Sequence, residues 1–427
     1  MKNKKLYFVI VMVIAAMLIL VACGDRPASP ATGDGEEITL TFWHANTDPE
    51  LIAIYQSWED ITPGVNISQT TFVDDDFKVQ SRVALAAGNT PDVWYMNTGM
   101  SLMQFVEEGG MRPIEEFREE FGWDDIYCAT SLNWTSIDGV LYTLPWSQFT
   151  PWHVVWANAD FFEEHNLDFP VTIDDYIALA PILRGLGQEP LVFYNLDGWY
   201  GAIFFGEFVA QIMCGATWID EINSGTRRWE NDDVARRAFE YMVSMAEANV
   251  FLNGFDTLRQ DTALPVWAAQ QSPLMYNGTW FTGVIGYEFD FSVEALVFPR
   301  IYPGSTTHSY QNALDWGLGI TPNTEHLREA LEFITFAAGP EHHMYQTASG
   351  FTTSPIPEIN YIVDLPYYFL QPPVTNQTGI IATDWFCYAF VMPVVAEFEM
   401  QISLLLTGQT DVESALASIQ RVHNDHY

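Results

Sequence analysis

Between Trp146 and Trp152 the chain reads Trp-Ser-Gln-Phe-Thr-Pro-Trp, a run of aromatic rings around one amide, Gln148. Rings offer flat apolar faces, and an amide both donates and accepts. Such a run can hold a polar solute by stacking and hydrogen bonding without transforming it. The patterns that do covalent or metal chemistry are missing. His342-His343 has no HExxH or comparable ligand spacing and reads as a solvent-facing pair. Asp74-Asp75-Asp76 is an acidic helix start, favourable to the dipole, and lacks the spaced oxygens and Gly of an EF-hand. Gly185-Leu186-Gly187 runs into Gln-Glu-Pro and cannot open a dinucleotide-binding helix. No GxSxG, SxxK or P-loop is present. The chemistry predicted is binding, with no catalytic residues, metal or cofactor.

Bulk composition bounds what must position these groups. A chain of 427 residues exceeds one compact core and predicts two lobes. Hydrophobic residues at 48% against 17% charged describe a folded protein. Aromatics reach 15%, a surplus suited to a large cleft that grips ligand through ring faces, although an ordinary core must absorb most of them. The formal charge is −38, and Lys2, Lys4 and Lys5 precede every acidic residue, so the chain without its first 22 residues carries about −41 and a single lysine, Lys78. A surface this negative repels phosphate backbones and excludes nucleic acid as a partner. The four cysteines, Cys23, Cys128, Cys214 and Cys387, contain no CxxC and are too few for a disulfide scaffold.

The first forty residues carry the sharpest signal. Met1 to Lys5 are basic, and Leu6 to Leu20 run without a charge, long for a signal-peptide core but short for a comfortable membrane span. The run ends in Leu20-Val21-Ala22-Cys23-Gly24, similar to a bacterial lipobox, in which cleavage before the cysteine leaves its thiol to carry a diacylglycerol. Each buried methylene contributes roughly 0.8 kcal/mol to membrane partition, so two chains anchor a protein firmly. Residues 1–22 are therefore read as a lipoprotein signal peptide. Residues 23–37, rich in Gly, Pro, Ala and Ser, are read as a flexible tether. With Cys23 lipidated, at most one disulfide is possible, and buried free thiols are expected.

From Ile38 the periodicities become regular. Ile38, Leu40 and Phe42 alternate with polar neighbours as a strand, and Asp48-Pro49 opens a helix carrying Leu51, Ile54, Tyr55 and Trp58. A short strand at 65–67 follows. Then come a helix from about Asp75 to Gly88-Asn89 and a strand over 91–96, and this alternation predicts a parallel α/β sheet. Further helices are predicted with faces through Val234, Ala238, Tyr241 and Met245, and through Leu327, Leu331 and Ile334. A last helix follows a capping box over Thr410 to Glu413.

These elements carry a resemblance. The stretch ITLTFWHANTDPE, then ALAAGNTPDVW and GGMRPIEEF, resembles the N-terminal lobe of family 1 bacterial extracellular solute-binding proteins, the group containing maltose-binding protein. Asp138 to Pro145, Asn158 to Phe162, Met275 to Trp280 and the Thr407-Gly408-Gln409 ending are similar to later segments of that family. Ala157 departs from it, since the family usually places Tyr there. The resemblance covers nearly everything from Ile38 to Gln420. It implies an α/β, two-lobed periplasmic-binding-protein-like fold of type II that closes like a hinged jaw around ligand. The lobes would be residues 38–145 with 311–356, and 146–310 with 357–427. The three crossings would lie near 141–146, 310–316 and 354–357.

The resemblance also implies a ligand and its contacts. A neutral sugar has flat C–H faces for rings and a rim of hydroxyls for amides and carboxylates. His44, Asn46 and Asp48 follow the first strand, where the family places polar contacts. Asn97 and Thr98 follow the third strand, and Gln148 and Trp152 lie beside the first crossing. Trp280 matches a family tryptophan that stacks on ligand. Asp315 and Trp316 occupy the second crossing, and Trp385 starts the near-terminal helix, with Trp199 a lesser suggestion. None of these is Lys or Arg, which disfavours phosphorylated ligands. The implied protein is a monomeric lipoprotein on the outer face of the cell membrane, held by its lipid alone. It would capture a mono- or oligosaccharide for the permease of an ABC transporter. A binding protein for a cationic solute such as a polyamine, a sensor that presents its ligand to a receptor, and a surface glycoside hydrolase are the alternatives.

Overall fold

A computed structural model describes residues 37–72, 74–147, 153–213, 217–278, 289–302, 308–311, 316–349, 354–363, 380–383, 386 and 389–427. Cys23 with its signal peptide and tether, and Gln148, Trp152, Cys214, Trp280, Asp315, Trp385 and Cys387, lie outside the described residues. The chain divides into Met1–Ile38 and Thr39–Tyr427, and the following description concerns the second unit.

Strand β1 (Ile38–His44) alternates as its sequence predicts, with Leu40 and Phe42 buried and Thr39 and Thr41 exposed. Asp48 ends the loop that follows and caps helix α1 (Pro49–Gln56), its carboxylate accepting from the Glu50 amide at 2.9 Å with Pro49 in the first turn. Next come β2 (Val65–Thr71), α2 (Asp74–Ala87), β3 (Val93–Asn97) and α3 (Met100–Glu107). Helix α2 turns Phe77, Ser81 and Ala84 inward at helical spacing.

The sheet built on these strands is mixed rather than wholly parallel. Strands β1 and β3 are parallel, with Phe42 opposite Val93. The order is β2-β1-β3-β8-β4, where β4 is Thr143–Pro145 and β8 is Trp316–Ile320. Strand β8 runs antiparallel to both neighbours, placing Trp316 opposite Asn97 and Gly317 opposite Pro145. A strand arriving from far along the chain is not bound to the βαβ direction. Both glycines of β8 sit in close quarters, and at Gly317 crowding by a branched side chain excludes a Cβ. A Cβ on Gly317 would meet Thr143 Oγ1 at 2.2 Å, and one on Gly319 would meet Met111 Cε at 2.1 Å.

The second sheet is antiparallel, in the order β6-β5-β7, with β5 His153–Asn158, β6 Leu274–Gly278 and β7 Val293–Val297. Helix α4 (Trp199–Ile212) is buried from Tyr200 to Gln211. Against it pack α5 (Asp233–Glu247) and α8 (Met392–Leu406), with α9 (Val412–His426) on α5 and α8. Helix α5 buries Ala235, Ala238, Phe239, Met242 and Met245, while Val234 and Tyr241 are half-buried. The predicted face is thus turned by about one residue. The cap of α9 is Asp411 rather than a Thr410 box, since its carboxylate accepts from the Ser414 amide at 2.9 Å.

Packing absorbs much of the aromatic surplus. Trp94, Trp123, Trp156, Trp218, Trp229 and Trp267 are among the largest fully buried side chains. Around α4 the rings form one cluster, with Phe205 4.6 Å from Phe239 and 5.0 Å from Phe398, and Trp229 5.1 Å from Trp218. The chain leaves the first sheet after β4, returns to it at β8, continues through α6 (Leu327–Ala337) and α7 (Pro340–Ala348), and ends on the second half with α8 and α9.

Candidate binding site

A pocket of about 100 Å³ lies between the two halves. One wall is α2 with the end of β3 and α3. Phe77, Lys78, Ser81 and Arg82 fall on one helical face, and Asn97, Ser101 and Phe105 continue it. The other wall is Asp197 and Trp199 at the start of α4, with Met392, Val395 and Glu399 along one side of α8.

Arg82, Asp197 and Glu399 are each set against a neighbouring group. Arg82 donates from Nη2 to Gln104 Oε1 at 3.1 Å, and its guanidinium lies 5.4 Å from the centre of the Phe105 ring. Asp197 pairs with Arg259 at 3.2 Å. Glu399 packs on Gly198, whose φ of +81° and missing Cβ let the carboxylate side chain approach, since a Cβ there would lie 2.6 Å from Glu399 Cβ. Asn195 fixes the start of α4, its Oδ1 accepting from the Gly201 amide at 2.7 Å and its Nδ2 donating to Ser403 Oγ at 3.0 Å. The pocket therefore presents aromatic faces together with two cations and two carboxylates.

Of the residues proposed from sequence, Asn97 lines this pocket, and so does Trp199. Thr98 is buried beside Asn97. Trp316 stacks on Tyr95 at 3.9 Å and meets Phe77 edge-on, so it backs the wall. His44, Asn46 and Asp48 form a second group outside the pocket lining. His44 is buried, and its Nε2–H donates to Gln69 Oε1 at 3.2 Å while Nδ1 accepts from the Asn46 amide at 3.3 Å. Burial holds its pKa down at about 4 against those hydrogen bonds, so the ring is neutral. Asn46 accepts from the Asp48 amide at 2.7 Å, and Asp48 Oδ2 accepts from the Tyr345 hydroxyl at 2.9 Å.

Lys78, Arg82, Asp197 and Glu399 were not foreseen. The available signal was Lys78 as the one lysine after residue 5, four positions before Arg82 on a single helix face.

His342 and His343 correct the expectation of a solvent-facing pair, because both are fully buried. His342 Nε2 donates to the Trp146 carbonyl at 2.8 Å and His343 Nε2 to the Pro145 carbonyl at 3.1 Å. A carbonyl only accepts, so these nitrogens carry the protons. The Tyr55 hydroxyl then donates to His342 Nδ1 at 3.3 Å and accepts from Trp146 Nε1 at 2.7 Å. Burial pulls the His342 pKa down to about 4 and that of His343 well below the usual imidazole range.

Two α/β halves joined by repeated chain crossings, with a polar and aromatic pocket between them, define the class of hinged solute receptors. A match to the bacterial extracellular solute-binding protein family spans residues 44–344, and the chain belongs to that family. It is similar to an uncharacterised ABC transporter extracellular-binding protein of Pyrococcus horikoshii, 24% identical over 74% of this chain and 72% of the relative. It is also similar to a multiple sugar-binding protein of Streptococcus mutans, 18% identical over 75% of each chain. Among solved structures, a chitin oligosaccharide binding protein shares the fold, with a TM-score of 0.79 at 18% identity over 92% of this chain and 99% of that one.

Proposed function

We propose that this chain is an extracytoplasmic receptor, lipidated at Cys23, that captures a mono- or oligosaccharide between its lobes and delivers it to the permease of an ABC transporter. It acts as a monomer and transforms nothing. The pocket composition carries the reading. Trp199 supplies a ring face, while Asn97, Asp197, Glu399, Lys78 and Arg82 supply donors and acceptors for hydroxyl groups. Charged partners form the stronger hydrogen bonds to neutral hydroxyls. Lys78 and Arg82 offset the charge of Asp197 and Glu399, so the pocket lacks the negative excess that a polyamine would call for.

The remaining contacts belong to the same proposal. Thr98 and Trp316 border the wall at Asn97, and His44, Asn46 and Asp48 shape the loop after β1. Gln148, Trp152, Trp280, Asp315 and Trp385 complete the set from the segments near the crossings and the terminal helices. The same reading takes residues 38–145 with 311–356 as one lobe and 146–310 with 357–427 as the other.

The test is a thermal-shift and calorimetric screen of the tether-free protein against xylotriose, raffinose, chitotriose and spermidine. A ligand bound by the folded state alone raises Tm, by RT ln(1 + [L]/Kd) in free energy. Saturable sugar binding without new reducing ends is expected. Binding of spermidine alone, or release of reducing ends, would replace this reading.

A further inference from the structure

We infer that helix α7 is a positioning strut for the binding site, in which His342, His343 and Tyr345 fix the first crossing and the loop after β1 relative to one another. Among the described residues, three side chains of this helix donate hydrogen bonds to other segments. His342 and His343 donate to the Trp146 and Pro145 carbonyls, at the point where the chain departs the first sheet. Tyr345 donates to Asp48 in the loop after β1. The crossing is held from its other side by the sheet, since the Trp146 amide donates to the Trp316 carbonyl at 3.0 Å. Tyr55 closes the ring from α1, accepting from the Trp146 indole and donating to His342.

The composition of α7 argues for geometry over simple adhesion. His342 and His343 are fully buried and direct their Nε2–H groups at the two crossing carbonyls, in positions where apolar side chains would pack with no polar groups to satisfy. Directional hydrogen bonds hold two carbonyls and a carboxylate at set distances, which apolar contacts do not. The strut serves ligand binding because the segments it joins bear proposed contacts, so the inference rests on the function proposed above.

The test compares His342→Phe with His342→Gln in the full chain. Phenylalanine keeps a ring but no donor, whereas the glutamine amide still donates to the Trp146 carbonyl. Amide exchange over residues 143–147 in the ligand-free protein should quicken about tenfold in His342→Phe and stay unchanged in α5. Affinity for whichever of xylotriose, raffinose or chitotriose the native chain binds should fall about tenfold, as for one lost buried hydrogen bond, and His342→Gln should recover most of it. Unchanged exchange overturns the strut. Faster exchange with unchanged affinity overturns its positioning role. If the native chain binds none of the three sugars, the sugar reading fails while the exchange result still judges the strut. If His342→Phe does not fold, Tyr345→Phe removes only the bond to Asp48 and should weaken binding several-fold. Native affinity in that variant would overturn the inference.

Discussion

Two buried clusters of rings hold this protein together by different means. Around α4, Phe205, Trp218, Trp229 and Phe398 meet ring to ring at 5–6 Å, and apolar contact does most of the work. Around α7, Tyr55, Trp146 and His342 are just as buried but are joined atom to atom by hydrogen bonds. Dispersion and hydrophobic burial are non-directional, and proton concentration does not alter them. A buried imidazole is neutral by necessity, so acid acts on it directly. The first cluster supplies stability, and the second sets the geometry beside the binding site.

The widest separation between them should come from pH. His44 and His342 have pKa values of about 4 in the folded chain, below the unfolded value near 6.5. Between those limits the unfolded state binds more protons, so their contribution is present above pH 6.5 and is lost as pH falls toward 4. The loss is about 3 kcal/mol for each ring at pH 4, from 1.36 kcal/mol per pKa unit. Protonation of carboxylates acts over the same range, so the informative quantity is the difference in slope between native protein and His342→Gln in urea unfolding from pH 7 to 4. An identical slope would remove the histidine from the account.

Trp229→Ala strikes the other cluster and should cost about 4 kcal/mol through lost burial and a residual cavity. Chemical denaturation should show that loss undiminished between pH 7 and 5, with the affinity of the folded fraction unchanged. Asp232→Ala is expected to cost somewhat less, about 2–3 kcal/mol. This carboxylate accepts from the Ala235 amide at 2.7 Å and the Trp218 indole at 3.0 Å, and pairs with Arg227 at 2.8 Å, so its removal leaves the Trp218 donor unmet. Lys78→Met marks the small end. Stability should move by less than about 0.5 kcal/mol, as for a substitution outside the core. Sugar affinity measured by calorimetry should fall about tenfold, the worth of a hydrogen bond to a charged donor. Unchanged affinity would place Lys78 outside the contacts.

Local pattern made many elements legible. Alternation marked β1, the Asp48-Pro49 pair marked α1, and Gly339-Pro340 marked the break between α6 and α7. Such signals act over a few residues, where backbone sterics and single hydrogen bonds decide the outcome. The family resemblance extended that reading to Asn97 at the end of β3, a position set by one strand.

What α7 and the pocket required was of another kind. Nothing near His342 in the sequence reveals that carbonyls 196 and 198 residues away will accept its proton and that of His343. The antiparallel insertion of β8 between β3 and β4, and the meeting of Lys78 with Glu399 across one pocket, likewise join segments far apart in the chain. Amino-acid order by itself determined the secondary elements, the acidic charge and the family, because each is expressed locally or in composition. The tertiary structure alone decided which polar groups lost their water and which partners replaced it, because desolvation depends on everything that packs around a group.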